Sequence, residues 1–323
     1  MIERRNTTYW VYGIQLDTEY SFLLPLVSEV ERRDLPSLYF GLLSPFCAGA
    51  HGTLGQISQV HTGNGASPIL HKTEQGYRVR TNVGEFLLQP DRIICHLLDG
   101  ARPGSAELWL LGTVLAFWQE WQGHGVLHAS AVVVDHRAVG FMGYNQSGKT
   151  SLAASFLQAG YPLLTDDVLA LQMVDGLCMA QAGYPQMRMW PEQAEHFVGD
   201  YEKLAKVSEQ TSKRRVPVSA LGSFCDQPQP LAALYLPERQ EAAEWGTRIE
   251  IEPLKVTSAL PRLVEHAFAA RWLHAPEQRR QRLAFYAPLA RSIPIRRVHY
   301  PHGFEHLPRL REAILADLET ILG

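Results

Sequence analysis

Cysteine is scarce in this chain. There are four in 323 residues, at Cys47, Cys95, Cys178 and Cys225, and no two form a Cys-x-x-Cys pair. Such dispersal excludes a disulfide framework, offers no zinc spacing and suits a reducing compartment. A marked excess of charge of one sign is missing as well. Thirty Lys and Arg face 33 Asp and Glu, a formal balance of −3, which gives no general attraction for nucleic acid or an anionic membrane. Long apolar runs are missing, and the longest, residues 108–118, is too short to span a bilayer. No apolar core stands behind Met1, Ile2, Glu3, Arg4, Arg5 and Asn6, so no secretory signal is expected and the setting is read as cytoplasmic. The Asn-Lys-x-Asp signature of small GTPases is missing, as are the His-Arg-Asp and Asp-Phe-Gly signatures of eukaryotic-type protein kinases.

What is there begins with Gly143-Tyr144-Asn145-Gln146-Ser147-Gly148-Lys149-Thr150, a complete G-x-x-x-x-G-K-[ST] phosphate loop. Residues 138–142 before it read as a strand, and residues 151–157 after it as a helix. Each fixed position has a chemical reason. Glycines let successive backbone N–H groups converge on phosphate oxygens. The following helix presents its positive N-terminal end, onto which Ser151 also opens. Lys149 is expected to reach the β- and γ-phosphates and the Thr150 hydroxyl to ligate Mg²⁺. Asn145, Gln146 and Ser147 complete the loop wall.

Gly160 stops that helix, and a short strand-like segment, residues 161–165, ends at Asp166-Asp167. Strand, loop, helix, glycine and strand make a βαβ unit, so the two strands are expected to be parallel neighbours with the loop and the Asp pair facing one crevice. One carboxylate can orient Mg²⁺ while the other accepts the proton of an attacking hydroxyl. His128 precedes an apolar run, residues 129–134, and a turn at Asp135-His136-Arg137, so a hairpin would lay it beside the strand that enters the loop.

Residues 125–172 resemble the catalytic core of the HPr kinase/phosphorylase family. The resemblance rests on His128 before a hairpin, the loop ending Gly148-Lys149-Thr150, a helix, then Gly160-Tyr161-Pro162-Leu163-Leu164 and the Asp pair followed by Val168. It implies an α/β fold with a core related to phosphoenolpyruvate carboxykinase, and transfer of phosphate from ATP to a serine hydroxyl. It further implies Asp166 as general base, Asp167 assisting with metal or geometry, and His128 and Lys149 beside the phosphates. Gly183-Tyr184-Pro185-Gln186-Met187-Arg188-Met189-Trp190-Pro191 and the basic Lys213-Arg214-Arg215 are similar to segments of stand-alone members, some of which phosphorylate a ribosomally made precursor peptide. Arg188, Lys213 and Arg214 are therefore candidate phosphate contacts, since Arg pairs with phosphate in a bidentate way; ordinary surface charge is the alternative reading. Two departures stand out. The acidic-Arg-Gly segment that bifunctional members carry after the Asp pair is absent, and the first hundred residues do not read like those members' N-terminal domain.

The chain is 46% hydrophobic and 20% charged, enough for a full core in two domains. A β-rich N-terminal domain over residues 1–103 is expected, with strands at 9–12, 77–80 and 85–88, a long loop at 48–67 and a possible role in substrate recruitment. The kinase domain is expected over 104–323. Ser105 is read as the cap of an apolar helix running to about Trp121, with Trp109, Trp118 and Trp121 as core or domain contacts. Further expectations are a hairpin of 168–173 and 177–182 around Asp175-Gly176, a half-exposed strand at 248–252, and helices near 258–273, 276–291 and 308–322. The last places Leu310, Ile314, Leu318 and Ile321 on one face. The function that follows is an ATP- and Mg²⁺-dependent serine kinase acting on a peptide or small protein, without nucleic acid or membrane, and with a homo-oligomer left open. A small-molecule or carboxykinase-like phosphotransferase and a non-catalytic nucleotide sensor remain the other readings.

Overall fold

The computed structural model describes residues 7–28, 36–43, 53–59, 68–209, 211–241, 245–269 and 276–323. It is a mixed α/β protein of two compact units. One comprises residues 1–123 and 268–282, the other residues 124–267 and 283–323. The division falls after the apolar helix rather than at residue 103, because that helix packs on the N-terminal sheet.

In the first unit, nine strands form one sheet: β1 (Thr7–Val11), β2 (Ile14–Thr18), β3 (Val27–Ser28), β4 (Ser37–Leu43), β5 (Thr53–Gln59), β6 (Ile69–Thr73), β7 (Gly76–Arg80), β8 (Gly84–Leu88) and β9 (Arg92–Leu97). Their order is β3-β1-β2-β4-β9-β8-β7-β6-β5. β2, β4 and β9 run parallel, and the remaining pairs are antiparallel. Period-two burial in β2 and β9 puts Leu16, Ile93 and Cys95 inside. β5 lies within the stretch expected to be a loop; residues 60–67 and 44–52 of that stretch and its flank lie outside the described residues.

The apolar helix starts at Pro103, with Arg102 at the N-cap position and no side-chain cap. This corrects the expectation of a Ser105 cap: proline's fixed φ suits the first helical position. The helix runs as α1 (Pro103–Trp109), one π-turn (Leu110–Val114) and α2 (Leu115–Trp121). Its tryptophans serve their own unit. Trp118 Nε1 donates to Gln89 O at 2.9 Å, Trp109 Nε1 to Asn82 Oδ1 at 3.2 Å, and the Trp121 ring meets Tyr77 edge-on at 5.0 Å.

The second unit contains β10 (Gly125–Leu127), β11 (Ala129–Val134), β12 (Arg137–Met142), α3 (Lys149–Gln158), β13 (Leu163–Thr165), β14 (Leu169–Val174), β15 (Leu177–Ala180), β16 (Gln186–Met189), α4 (Pro191–Val198), β17 (Arg214–Pro217), β18 (Gln229–Gln240), β19 (Glu250–Pro253), α5 (Val256–Glu265), α6 (Pro276–Ser292), β20 (Ile295–Pro301) and α7 (Leu307–Leu322). The first turns of α6 belong to the first unit. The main sheet has the order β10-β14-β15-β18-β12-β11-β13, with β20 beside β18 and β19 beside β20; β16 and β17 form a separate ribbon.

One expected neighbour relation is corrected here. β12 and β13 point the same way but do not touch, because β11 lies between them, antiparallel to both. The Ala-Ser-Ala-Val-Val-Val run of β11 is buried at every position, as in a strand covered on both faces. The parallel neighbour of β12 is β18. The carboxyl ends of β12 and β13 still open on the same side, which keeps the 143–150 loop next to Asp166 and Asp167.

The hairpin of β14 and β15 turns at Asp175 and Gly176, whose φ values of 50° and 81° are those of a primed turn. α5 ends at Glu265, short of the expected 273, because the next backbone groups are taken: His266 O accepts from His128 N at 2.9 Å, and Ala267 bridges Leu127. α7 buries Leu310, Ile314 and Leu318 in a core shared with Phe141, Phe156, Tyr235 and Val298, and Ile321 packs at its margin. No helix among the described residues is long and apolar enough to cross a membrane.

Candidate active site

β12 delivers the chain into a loop that needs left-handed backbone twice, at Gln146 (φ 66°) and Gly148 (φ 96°). Glycine is required at the second position on two counts. Its φ disfavours a side chain, and a β-carbon there would collide with the Tyr300 hydroxyl and crowd the Arg239 guanidinium. Those two groups brace the loop: Arg239 Nε donates to Tyr300 Oη at 3.1 Å, and Tyr300 donates to Ser147 O at 3.1 Å. Gly148 then caps α3.

Lys149 is buried, and its ammonium donates to two loop carbonyls, Gly143 O at 2.8 Å and Tyr144 O at 2.7 Å. Burial pulls its pKa down to about 8, against the opposing pull of Asp167 and Asp166. Thr150, next along α3, donates to Asp166 Oδ1 at 3.0 Å.

The two carboxylates have different surroundings. Asp166 is buried and accepts three hydrogen bonds: from Ser130 Oγ at 2.7 Å, from Thr150, and from the Arg188 backbone N–H at 3.0 Å. Asp167 stands in left-handed backbone at φ 76°, a conformation Asp tolerates at some cost and one that recurs at functional sites. Its Oδ2 pairs with Arg188 Nη1 at 3.1 Å and its Oδ1 with His128 Nδ1 at 3.3 Å. Burial pushes its carboxyl up, but His128, Arg188, Lys213 and Lys149 together outweigh burial and hold it at about 2.

His128 joins the carboxylates to the loop. Nδ1 faces Asp167 O at 3.1 Å and Nε2 faces Asn145 Oδ1 at 3.1 Å. Burial lowers the pKa of this ring, and a neutral imidazole is satisfied on both sides once the Asn145 amide turns its NH₂ toward it. Arg188 is anchored in turn by its Nη2, which donates to Tyr184 Oη at 2.8 Å.

The structure therefore gathers His128, Asn145, Lys149, Thr150, Asp166, Asp167 and Arg188 on one side of the loop formed by Gly143, Gln146, Ser147 and Gly148. Lys213 stands close enough for its charge to lower both Asp167 and Lys149. Ser151 is turned elsewhere and accepts from Gln193 Nε2 at 2.7 Å. Arg214 is not brought to the site. Its Nη1 donates to Leu204 O at 3.1 Å and its guanidinium lies 5.4 Å from the Tyr201 ring centroid. Arg215 likewise binds Val207 O at 3.0 Å. Both arginines hold the 201–207 segment against β17.

Several site groups escape the sequence motif. Ser130 lies two residues from His128, so strand alternation could have placed both on one face. Tyr184 sits four residues before Arg188 without any local pattern that links them. Arg239 and Tyr300 come from the end of β18 and from β20, the latter 153 residues beyond Ser147, and nothing local marks them. Tyr144 extends from the loop to Glu265 and, at 3.4 Å, to Arg262 Nη1.

Hard oxygen donors at Thr150, Asp166 and Asp167 are the type that Mg²⁺ takes, with the rest of its shell drawn from water and phosphate. Among the described residues, no three His, Cys, Asp or Glu side chains group into an all-protein metal cage.

No protein-family model matches this chain, and no curated protein does. Among solved structures it is similar to the HPr(Ser) kinase/phosphatase from Coxiella burnetii, at 12% identity and a TM-score of 0.33, over 60% of this chain and 97% of that one. Function is accordingly inferred from the site's own geometry.

Proposed function

We propose that the chain is a phosphotransferase that moves the γ-phosphate of ATP to a hydroxyl, with a serine of a peptide or small protein as acceptor and the cytoplasm as its setting. The observation that carries this reading is the hydrogen bond from Thr150 Oγ1 to Asp166 Oδ1 at 3.0 Å. It joins the residue expected to face Mg²⁺ to a carboxylate at the end of β13, one helical position from Lys149.

The residues divide the work as follows. Loop N–H groups and Lys149 hold phosphate oxygens, and Lys149 leaves the Gly143 and Tyr144 carbonyls to do so. Thr150 Oγ1 and Asp167 would hold Mg²⁺, which when bound offsets charge on the phosphate oxygens. Asp167, held at about 2, suits a cation and is a weak proton acceptor, because an efficient base titrates near working pH. Asp166, at the end of β13 and bonded to Thr150, is assigned to take the acceptor hydroxyl's proton. Arg188 keeps Asp167 in place and would add its charge to the phosphate side of the site. His128 fixes the orientation of Asp167 relative to Asn145. Little covalent chemistry falls to the protein, so positioning and charge supply most of the rate.

The test is Mg-ATP titration by calorimetry on wild type and Lys149→Ala, followed by transfer of labelled phosphate to serine peptides by wild type and Asp166→Asn. A tenfold or larger loss of affinity in the first variant, together with loss of transfer but not of binding in the second, supports the reading. Absence of ATP binding in the folded wild type ends it. Binding without transfer to any peptide or metabolite points to a nucleotide sensor.

A further inference from the structure

A concavity borders the loop at Gln146 and the next helix at Ser151. It is a cleft of about 670 Å³ whose walls include Gln146, Ser151, Trp190, Arg239, His302 and Phe304. We propose that this cleft takes the nucleoside end of the phosphate donor, with its base against Trp190. The inference rests on the phosphotransferase reading and adds the donor's orientation and the residues that select it.

Direction comes first. Thr150 and Ser151 are adjacent on α3, so their side chains diverge by about 100° around the helix. Thr150 turns to Asp166, while Ser151 bonds Gln193 and lines the cleft. The terminal phosphate belongs near Lys149 and the Asp pair. In-line transfer sets the acceptor and the leaving group on opposite sides of that phosphate. The acceptor hydroxyl must reach Asp166, which leaves the Ser151 flank for the departing diphosphate and its nucleoside.

The lining suits that occupant. Trp190 is 37% exposed, a large aromatic surface held in place between β16 and α4. Lys213 Nζ lies 5.2 Å from its ring centroid, which braces the indole and connects it to the charged site. Phe304 adds a second ring, itself stacked on His196 at 4.3 Å between centroids. Aromatic faces bind any nucleobase by stacking. Arg239 brings a guanidinium to the cleft beside Gly148, where the inner phosphates would pass. Glu192 and Glu305 also border the cleft and provide acceptors for ribose hydroxyls or an exocyclic amino group. The volume falls within the range of small-molecule sites.

The experiment is calorimetry with Mg²⁺ and either ATP or inorganic tripolyphosphate, on wild type, Trp190→Ala, Trp190→Phe and Lys149→Ala. Tripolyphosphate carries the phosphates without the nucleoside. Trp190→Ala is expected to weaken ATP at least tenfold while binding tripolyphosphate within twofold of wild type, and Trp190→Phe is expected to recover most of the ATP affinity. Equal ATP binding by Trp190→Ala and wild type, with Lys149→Ala impaired, overturns the cleft and leaves the phosphotransferase reading standing. Parallel loss of both ligands in Trp190→Ala also overturns it, since the indole would then act on the loop. Failure of wild type to bind either ligand ends both readings. Photolabelling of wild type with 8-azido-ATP needs no variant: label on peptides containing Trp190 or His302 to Glu305 supports the cleft, and label confined to other peptides overturns it.

Discussion

The two units bury charge in opposite ways. In the N-terminal unit each buried acid is matched by fixed partners. Glu107 accepts from Tyr20 Oη at 2.6 Å and from the backbone of Leu23 and Leu24, and Glu120 meets Arg282 at 2.7 Å with both side chains 6% exposed. In the second unit five ionisable groups crowd together. Lys149 has only carbonyls for partners, Asp167 is held in left-handed backbone, and His128 and Arg188 share that one carboxylate. The first arrangement stabilises a fold. The second holds charge ready for a ligand at some cost in stability, the pattern expected of a functional site.

That contrast can be broken by substitution. Asp166→Asn should lower phosphate transfer by about a thousandfold, a typical loss when a group acting in the transition state is removed, while the protein stays folded with a melting temperature lowered by the loss of one buried hydrogen bond, about 1–3 kcal/mol; single-turnover transfer and a thermal melt check both halves. A collapse of the fold would place Asp166 with the structural acids of the other unit.

Glu120→Ala should do the reverse. It leaves Arg282 buried without its anion, a change that costs about 3–5 kcal/mol, read by chemical denaturation. If nucleotide affinity in the protein that stays folded falls as well, the separation of roles is wrong.

A smaller effect should sharpen the picture around pH. Burial lowers the His266 ring to about 4. The folded state then holds this ring neutral while the unfolded chain protonates it below about 6.5. The unfolded state binds the extra proton over pH 4–6.5, so stability falls as pH drops through that window, by up to about 3 kcal/mol. Denaturation midpoints from pH 7 to 4 should fall less steeply in His266→Gln than in wild type.

The smallest expected effect is that of Tyr184→Phe. Loss of the hydroxyl that anchors Arg188 should cost about 1 kcal/mol of stability. It should lower transfer by about tenfold, by the same order of free energy, without changing Mg-ATP affinity. An unchanged transfer rate would show that Arg188 needs no such anchor.

Much of the site was legible in the sequence because its members are local. Loop, helix and Asp pair occupy twenty-five consecutive positions, residues 143–167, and short-range backbone chemistry sets their geometry: glycines where φ is positive, a helix where apolar residues recur, a stop at Gly160. Arg188 was also singled out, through its segment, and the fold sets it against Asp167. Arg214 was read as a candidate phosphate contact; the fold sets it against Leu204 O and the Tyr201 ring, contacts that no local pattern records.

The sequence by itself determined the strand–loop–helix order, the acidic pair that follows it, the hairpin at Asp175-Gly176 and the buried face of α7. Each is written in residues less than about twenty positions apart, where periodicity and turn chemistry act. Tertiary structure alone decided that β11 separates β12 from β13, that the apolar helix packs with the N-terminal sheet, that Tyr300 and Arg239 brace Gly148, and that Trp190 and Phe304 share a cleft. Those relations join residues up to about 150 positions apart. They arise from which sheet edge or apolar face was left to be covered, and no local pattern along the chain records that.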